Sequence, residues 1–185
     1  RVAQELGFSF LDTGAMYRAA TWRAMHESID LDDPDALAES THAMRLDLHD
    51  DDGGLRVSVD GRNVTAEIRT PEVTRQIYRL DQNADVRAHL VELQRRYASA
   101  ANRPTVAEGR DMGTIVFPKA KCKIFLDASI GVRARRRSEP ATAPHGRRRV
   151  SPSPAYQPRV VTSGCRSGSG GCCACSTRPA GGASG

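Results

Sequence analysis

The stretch "FLDTGAMYRAA" (residues 10–20) decides how this chain is read. A short apolar run ends in an acid, a hydroxyl and a glycine, and an aromatic and an arginine follow. Residues 8–11 suit a short buried strand. Asp12 or Thr13 can cap a helix that starts near Gly14, with Met16, Ala19, Ala20 and Ala24 along one side at helical spacing. Two readings of its charge stay open. Arg18 can face solvent from an ordinary helix, with Tyr17 in the core, or it can wait for a phosphate. A planar guanidinium that stays charged and offers two parallel donors suits phosphate well.

Outward from that stretch, strands and helices alternate. "DLDDPDAL" places Asp33 as a cap before Pro34 at a first helical turn. Residues 46–49 and 55–60 alternate in polarity around "DDDGG", which predicts a β-hairpin, and Asp60-Gly61 marks the next turn. Helices are expected over residues 71–80 and 85–98, the second carrying Val86, Leu90, Leu93 and Tyr97 on one side. "PTVAEG" (104–109) and "CKIFLDA" (122–128) are short apolar runs between turn residues, as in central parallel strands. A last helix begins near Ser129 and runs into Arg133, Arg135, Arg136 and Arg137. Together these predict an α/β domain, a parallel sheet with flanking helices, carrying a small inserted antiparallel lobe.

The chain has 185 residues, enough for a real core, and a formal charge of +5. That charge sits at one end: residues 138–185 hold six arginines and a single acid, Glu139. The basic balance therefore says little about the organised region, and no nucleic-acid partner is expected from a tail that lacks interleaved aromatics apart from Tyr156. No apolar run is long enough for a transmembrane helix, and "RVAQELGF" does not resemble a signal peptide. Cys122, flanked by a short apolar run, fits a buried thiol in a reducing compartment. Cys165, Cys172, Cys173 and Cys175 lack the paired spacing of a zinc site, so no metal is expected.

Both ends read as irregular. Residues 1–6 look like the last turns of a helix stopped by Gly7, so a preceding segment is expected. Residues 138–185 contain no Leu, Ile, Phe, Met or Trp, and disorder is expected there. Their Arg, Pro, Gly, Ala, Ser and Cys content suggests a GC-rich gene read in a shifted frame. Translating the flanking DNA in its other frames tests that expectation; without an amphipathic continuation in either, it fails.

The ordered set "LDTGAMYRAA", "EIRTPEVT", "DVRAHLVELQRR", "VAEGRDMGTIVFPKAKCKIFLDAS" and "VRARRR" closely resembles bacterial cytidylate kinase, a P-loop nucleoside monophosphate kinase. The resemblance covers residues 1–137. It implies a P-loop NTPase-like fold, with residues 1–44 and 81–137 as kinase core and 45–80 as the monophosphate-binding insert, ahead of an aberrant tail at 138–185. It also implies a cytoplasmic monomer that transfers a phosphoryl group from ATP, with Mg2+, to CMP or dCMP.

By that resemblance, Thr13, Tyr17 and Arg18 shape the corner that holds the CMP phosphate. Arg69 and Arg110 reach the same phosphate, and Arg18 and Arg110 are the expected catalytic arginines. Arg110 also follows a predicted strand end, where α/β sheets place ligands. Arg87 and Asp111 are expected to read cytosine, although a helix-surface arginine and a capping aspartate are the plain alternatives. Tyr78 stands where family members usually carry a serine, which leaves base selectivity open at that point. No G-x-x-x-x-G-K-[ST] loop occurs in residues 1–185, and the lysines, Lys119, Lys121 and Lys123, lie far from any glycine loop. The 185 residues alone are therefore expected to lack the ATP side of the site and to be inactive. The competing expectation is a non-catalytic nucleotide-binding fragment or regulatory remnant.

Overall fold

Asp12 closes one element and opens the next. The computed structural model describes residues 2–51 and 54–138, which fall into two units, residues 2–121 and 122–138. The first unit begins with helix α1 (Val2–Leu6). Gly7, at φ 66°, ends it: Gly7 N–H donates to Gln4 and Phe8 N–H to Ala3, two bonds that close a helix through a left-handed residue. The chain then enters strand β1 (Ser9–Asp12). Asp12 is extended, and its Oδ1 accepts from Ala15 N–H at 2.9 Å, so the aspartate rather than Thr13 caps helix α2 (Thr13–His26).

Helix α3 (Pro34–Ala43) is capped by Asp33, as its sequence predicts. The hairpin also forms. Strands β2 (Leu46–Asp51), β3 (Gly54–Val59) and β4 (Arg62–Asn63) make an antiparallel sheet in that order. Asp60 and Gly61 link β3 to β4 with φ of 51° and 83°, the positive pair that a two-residue turn between twisted strands requires. A single 3-10 turn (Glu67–Arg69) leads into α4 (Pro71–Gln82), capped by Thr70, and α5 (Ala84–Ala100), capped by Asn83. Strand β5 (Thr105–Glu108) then pairs in parallel with β1, from Ser9 opposite Thr105 to Asp12 opposite Glu108. The two strands end level, so the chain leaves both at one edge.

Helix α2 is the spine of this unit. Ala15, Ala19, Ala20 and Ala24 are buried along it, and their small side chains let its neighbours approach closely. One buried cluster joins this face to Leu11, Leu37, Val57, Val59, Ile68, Leu80, Val86 and Leu90. The antiparallel sheet thus shares a core with the helices. Full burial of each large apolar side chain contributes about 1.5–3 kcal/mol before entropy is counted. Arg23 adds a polar tie. Its Nε donates to Asp60 at 2.7 Å, and its Nη1 donates to the Ser40 carbonyl at 2.6 Å and pairs with Glu27 at 3.0 Å. Burial pushes the Asp60 carboxyl up, but bonds from Arg23 and the Arg45 amide outweigh it and hold it below its ordinary range.

In the second unit, residues 122–128 do not form the expected strand. Ile124, Phe125 and Leu126 are 59%, 66% and 71% exposed, and Cys122 is an exposed free thiol rather than a buried one. A strand persists only within a hydrogen-bonded ladder, and no ladder partner occurs for these residues among those described. Helix α6 (Ile130–Ser138) follows, close to its expected start. The expectations of disorder and of no zinc site within residues 139–185 lie outside the described residues.

Candidate active site

The level ends of β1 and β5 bring two distant segments together. Thr13 is buried, and its hydroxyl donates to the Glu108 carbonyl at 2.7 Å. A Cβ on Gly109 would stand 2.5 Å from the Thr13 hydroxyl oxygen and 2.8 Å from the Met112 methyl, so only glycine fits there. The start of α2, which carries Tyr17 and Arg18, is thereby locked against the loop that carries Arg110 and Asp111.

Arg18 does not face solvent freely. Its Nη2 donates to Asp12 Oδ2 at 3.0 Å, so one carboxylate both caps the helix and holds the guanidinium. Gly14 leaves the room this needs, since a Cβ there would lie 3.1 Å from Arg18 Nη1. Arg18 Nε is buried without a partner. An unmet buried donor is costly, and an anion placed beside it would remove that cost.

Two acid–arginine pairs join the α4–α5 corner to the 110–111 loop. Arg110 Nη2 meets Asp81 Oδ1 at 2.7 Å, and Arg87 Nη2 meets Asp111 Oδ2 at a looser 3.5 Å. Asp81 holds the Arg110 guanidinium more firmly charged than usual. Tyr17 lies among these groups. Burial raises its phenol above the ordinary value, Asp111 and Asp81 add to the rise, and Arg87 opposes it. The hydroxyl therefore stays protonated through the physiological range.

Arg69 is placed differently. Its Nη1 donates to the Thr65 carbonyl at 2.6 Å on an exposed turn, which joins it to its own backbone rather than to Arg18, Arg87 or Arg110. Tyr78 is about half exposed, with the Arg79 guanidinium 5.0 Å from its ring centre, and Arg79 in turn pairs with Asp32. Three contributors escaped the sequence reading. Asp12 as the Arg18 partner and Asp81 as the Arg110 partner are ordinary acids in the sequence. Arg95 donates to the carbonyls of Ile115 (2.8 Å) and Val116 (3.0 Å), steadying the single wide turn (Met112–Val116) behind Asp111. Only the spacing of Asp12 from Arg18, less than two turns apart on one helix start, offered a local signal.

The family model described as "Cytidylate kinase" matches residues 1–148. The chain belongs to the cytidylate kinase family. The match runs beyond residue 137, where the diagnostic motifs end. A cytidylate kinase of Rhodopirellula baltica is 50% identical over 137 residues, covering 74% of this chain and 57% of that protein. One from Pelotomaculum thermopropionicum is 46% identical over 143 residues, covering 77% and 62%. A bifunctional pantoate ligase/cytidylate kinase of Trichormus variabilis is 46% identical over 142 residues, covering 75% and 26%. The chain thus spans less than two thirds of the length of these curated relatives.

The cytidylate kinase family belongs to the P-loop NTPases, consistent with the parallel β1–β5 pair and flanking helices. Among the described residues, no group of three His, Cys, Asp or Glu side chains could hold a metal ion, and no helix is long and apolar enough to cross a membrane. No glycine-rich phosphate loop of the form G-x-x-x-x-G-K-[ST] occurs among the 185 residues.

Proposed function

We propose that these residues form the acceptor side of a (d)CMP kinase, which passes a phosphoryl group from ATP, with Mg2+, to CMP or dCMP. The observation that carries this reading is the buried, partnerless Nε of Arg18, held beside Asp12 where α2 meets the Arg110 loop. Such a donor favours an anion, and a monophosphate is the anion that the family's reaction presents. Arg18 and Arg110 bind the acceptor phosphate and offset its charge. Phosphoryl transfer asks the protein chiefly for positioning and charge stabilisation of this kind. Arg69, with Nη1 bonded to the Thr65 carbonyl, offers its remaining donors to the same phosphate. Thr13 and Tyr17 shape the corner; Tyr17 contributes a neutral hydroxyl.

Arg87 and Asp111 read the base. The carboxylate accepts from the cytosine amine and the guanidinium donates to the ring acceptors. Residues 45–80 act as the monophosphate-binding lobe, with residues 1–44 and 81–137 as core. Bound ATP–magnesium would supply the transferred group.

Calorimetric titration of the 185-residue chain tests the acceptor site. CMP and dCMP bind, cytidine binds more weakly, and Arg18→Gln abolishes the advantage of the phosphate. Equal affinity for CMP and cytidine would overturn the reading. A coupled assay with ATP checks the other half: these 185 residues alone produce no CDP, and robust turnover would show that a donor site exists within them.

A further inference from the structure

We infer that Asp81 is a positioning residue for the acceptor phosphate, acting through Arg110; this rests on the reading of Arg110 as a phosphate-binding group. The Arg110 side chain is 80% exposed, so little packing restrains it. An exposed arginine loses rotamer freedom when it grips a ligand, and a tether already made in the free protein reduces that loss. Asp81 supplies one. It takes Nη2 at 2.7 Å and uses only part of a five-donor group, so Nε and Nη1 remain able to meet phosphate oxygens.

The tether stands on a rigid support. Asp81 lies in the last turn of α4, next to fully buried Leu80. Asn83, two residues on, caps α5 through bonds to the Asp85 and Val86 amides, and its side-chain amide donates to the Pro34 carbonyl at 2.7 Å. A mobile loop could not fix a guanidinium in this way.

A carboxylate near a phosphate also repels it, so two effects compete. Asp81 stays bonded to Arg110, and water screens the residual charge at so exposed a pair. The conformational restraint is not screened. Positioning therefore outweighs repulsion, and removing the carboxylate weakens binding.

The test titrates CMP and cytidine into the wild-type chain, Asp81→Asn and Asp81→Glu, with circular dichroism confirming that each is folded. Loss of an exposed pair of this kind gives about a 3- to 5-fold weaker CMP affinity for Asp81→Asn. Cytidine binding is unchanged, Asp81→Glu recovers most of the loss, and in an Arg110→Gln background Asp81→Asn costs nothing more. Unchanged or tighter CMP binding by Asp81→Asn overturns the inference, as does an equal loss with cytidine or a loss that persists without Arg110. Wild-type chain that fails to bind CMP sinks the Arg110 reading as well, whereas wild-type binding with no Asp81→Asn effect sinks this inference alone.

Discussion

Thr13 donates its hydroxyl hydrogen to the Glu108 carbonyl at 2.7 Å, joining positions 95 residues apart. Gly109 makes this possible, because any Cβ there would collide with the same hydroxyl. Gly109→Ala is therefore expected to push the 109–112 loop away from α2. Overpacking of this kind destabilises by about 1–3 kcal/mol. Urea unfolding measures that loss, and CMP titration should show weaker binding, because Arg110 and Asp111 move with the loop. Adding Thr13→Ala to Gly109→Ala should restore part of the stability, since it removes one of the two colliding groups. No restoration would mean that Met112 alone sets the clash.

Asp12 does two jobs that substitutions can separate. Asp12→Asn keeps an oxygen that can accept from the Ala15 amide, so α2 stays capped and unfolding changes little. It removes the charge that holds Arg18 Nη2, so CMP affinity falls while stability holds. Asp12→Ala loses the cap too and should cost about 1 kcal/mol in addition. Parallel unfolding and binding curves for the two variants check this. Equal CMP affinity in wild type and Asp12→Asn would show that the pair does not position Arg18.

What could be read in advance was local. The cap before α2, the alanine face behind it, the pairing of residues 46–51 with 54–59 and the turn at Asp60-Gly61 depend on neighbouring residues and on period, and all of them form. The run at 122–128 failed because an apolar run records preference for a sheet, not the ladder partner that a strand needs. For the same reason Cys122, flanked by that run, is exposed instead of buried. In the candidate site the arginines stood out through their motifs. Their carboxylate partners did not, since Asp81 meets Arg110 across 29 positions without any periodic signal.

Acid should loosen the contact between α3 and α5. His89 packs against His42 with ring centres 4.4 Å apart and planes tilted by 35°. Burial lowers the His89 pKa below its ordinary value, His42 and Arg96 lower it further, and Glu92 partly opposes them. The native state therefore binds fewer protons here than the unfolded state does. The stability from neutral His89 is present above the unfolded pKa of about 6.5 and is lost as pH falls through the depressed native value. His89→Gln should unfold with a shallower decline in urea midpoint between about pH 7.5 and pH 5 than wild type. Identical declines would show that other groups carry the acid sensitivity.

Base selectivity should follow Asp111 and not Tyr78. The Asp111–Arg87 pair is loose at 3.5 Å and partly exposed, so both partners can exchange each other for a ligand's hydrogen-bonding edge. Cytosine presents an amine donor to the carboxylate, whereas uracil presents an acceptor in the same place. Asp111→Asn offers a donor as well as an acceptor, which relaxes that distinction. The ratio of CMP to UMP affinity should fall about tenfold, within the range for leaving one buried polar group unmatched. Tyr78 is half exposed with the Arg79 guanidinium against its ring. Tyr78→Ser should therefore alter the same ratio by less than about twofold, the size of an ordinary surface substitution. Competition titrations with CMP and UMP on both variants decide the matter. A larger shift from Tyr78→Ser than from Asp111→Asn would make Tyr78 the residue that reads the base.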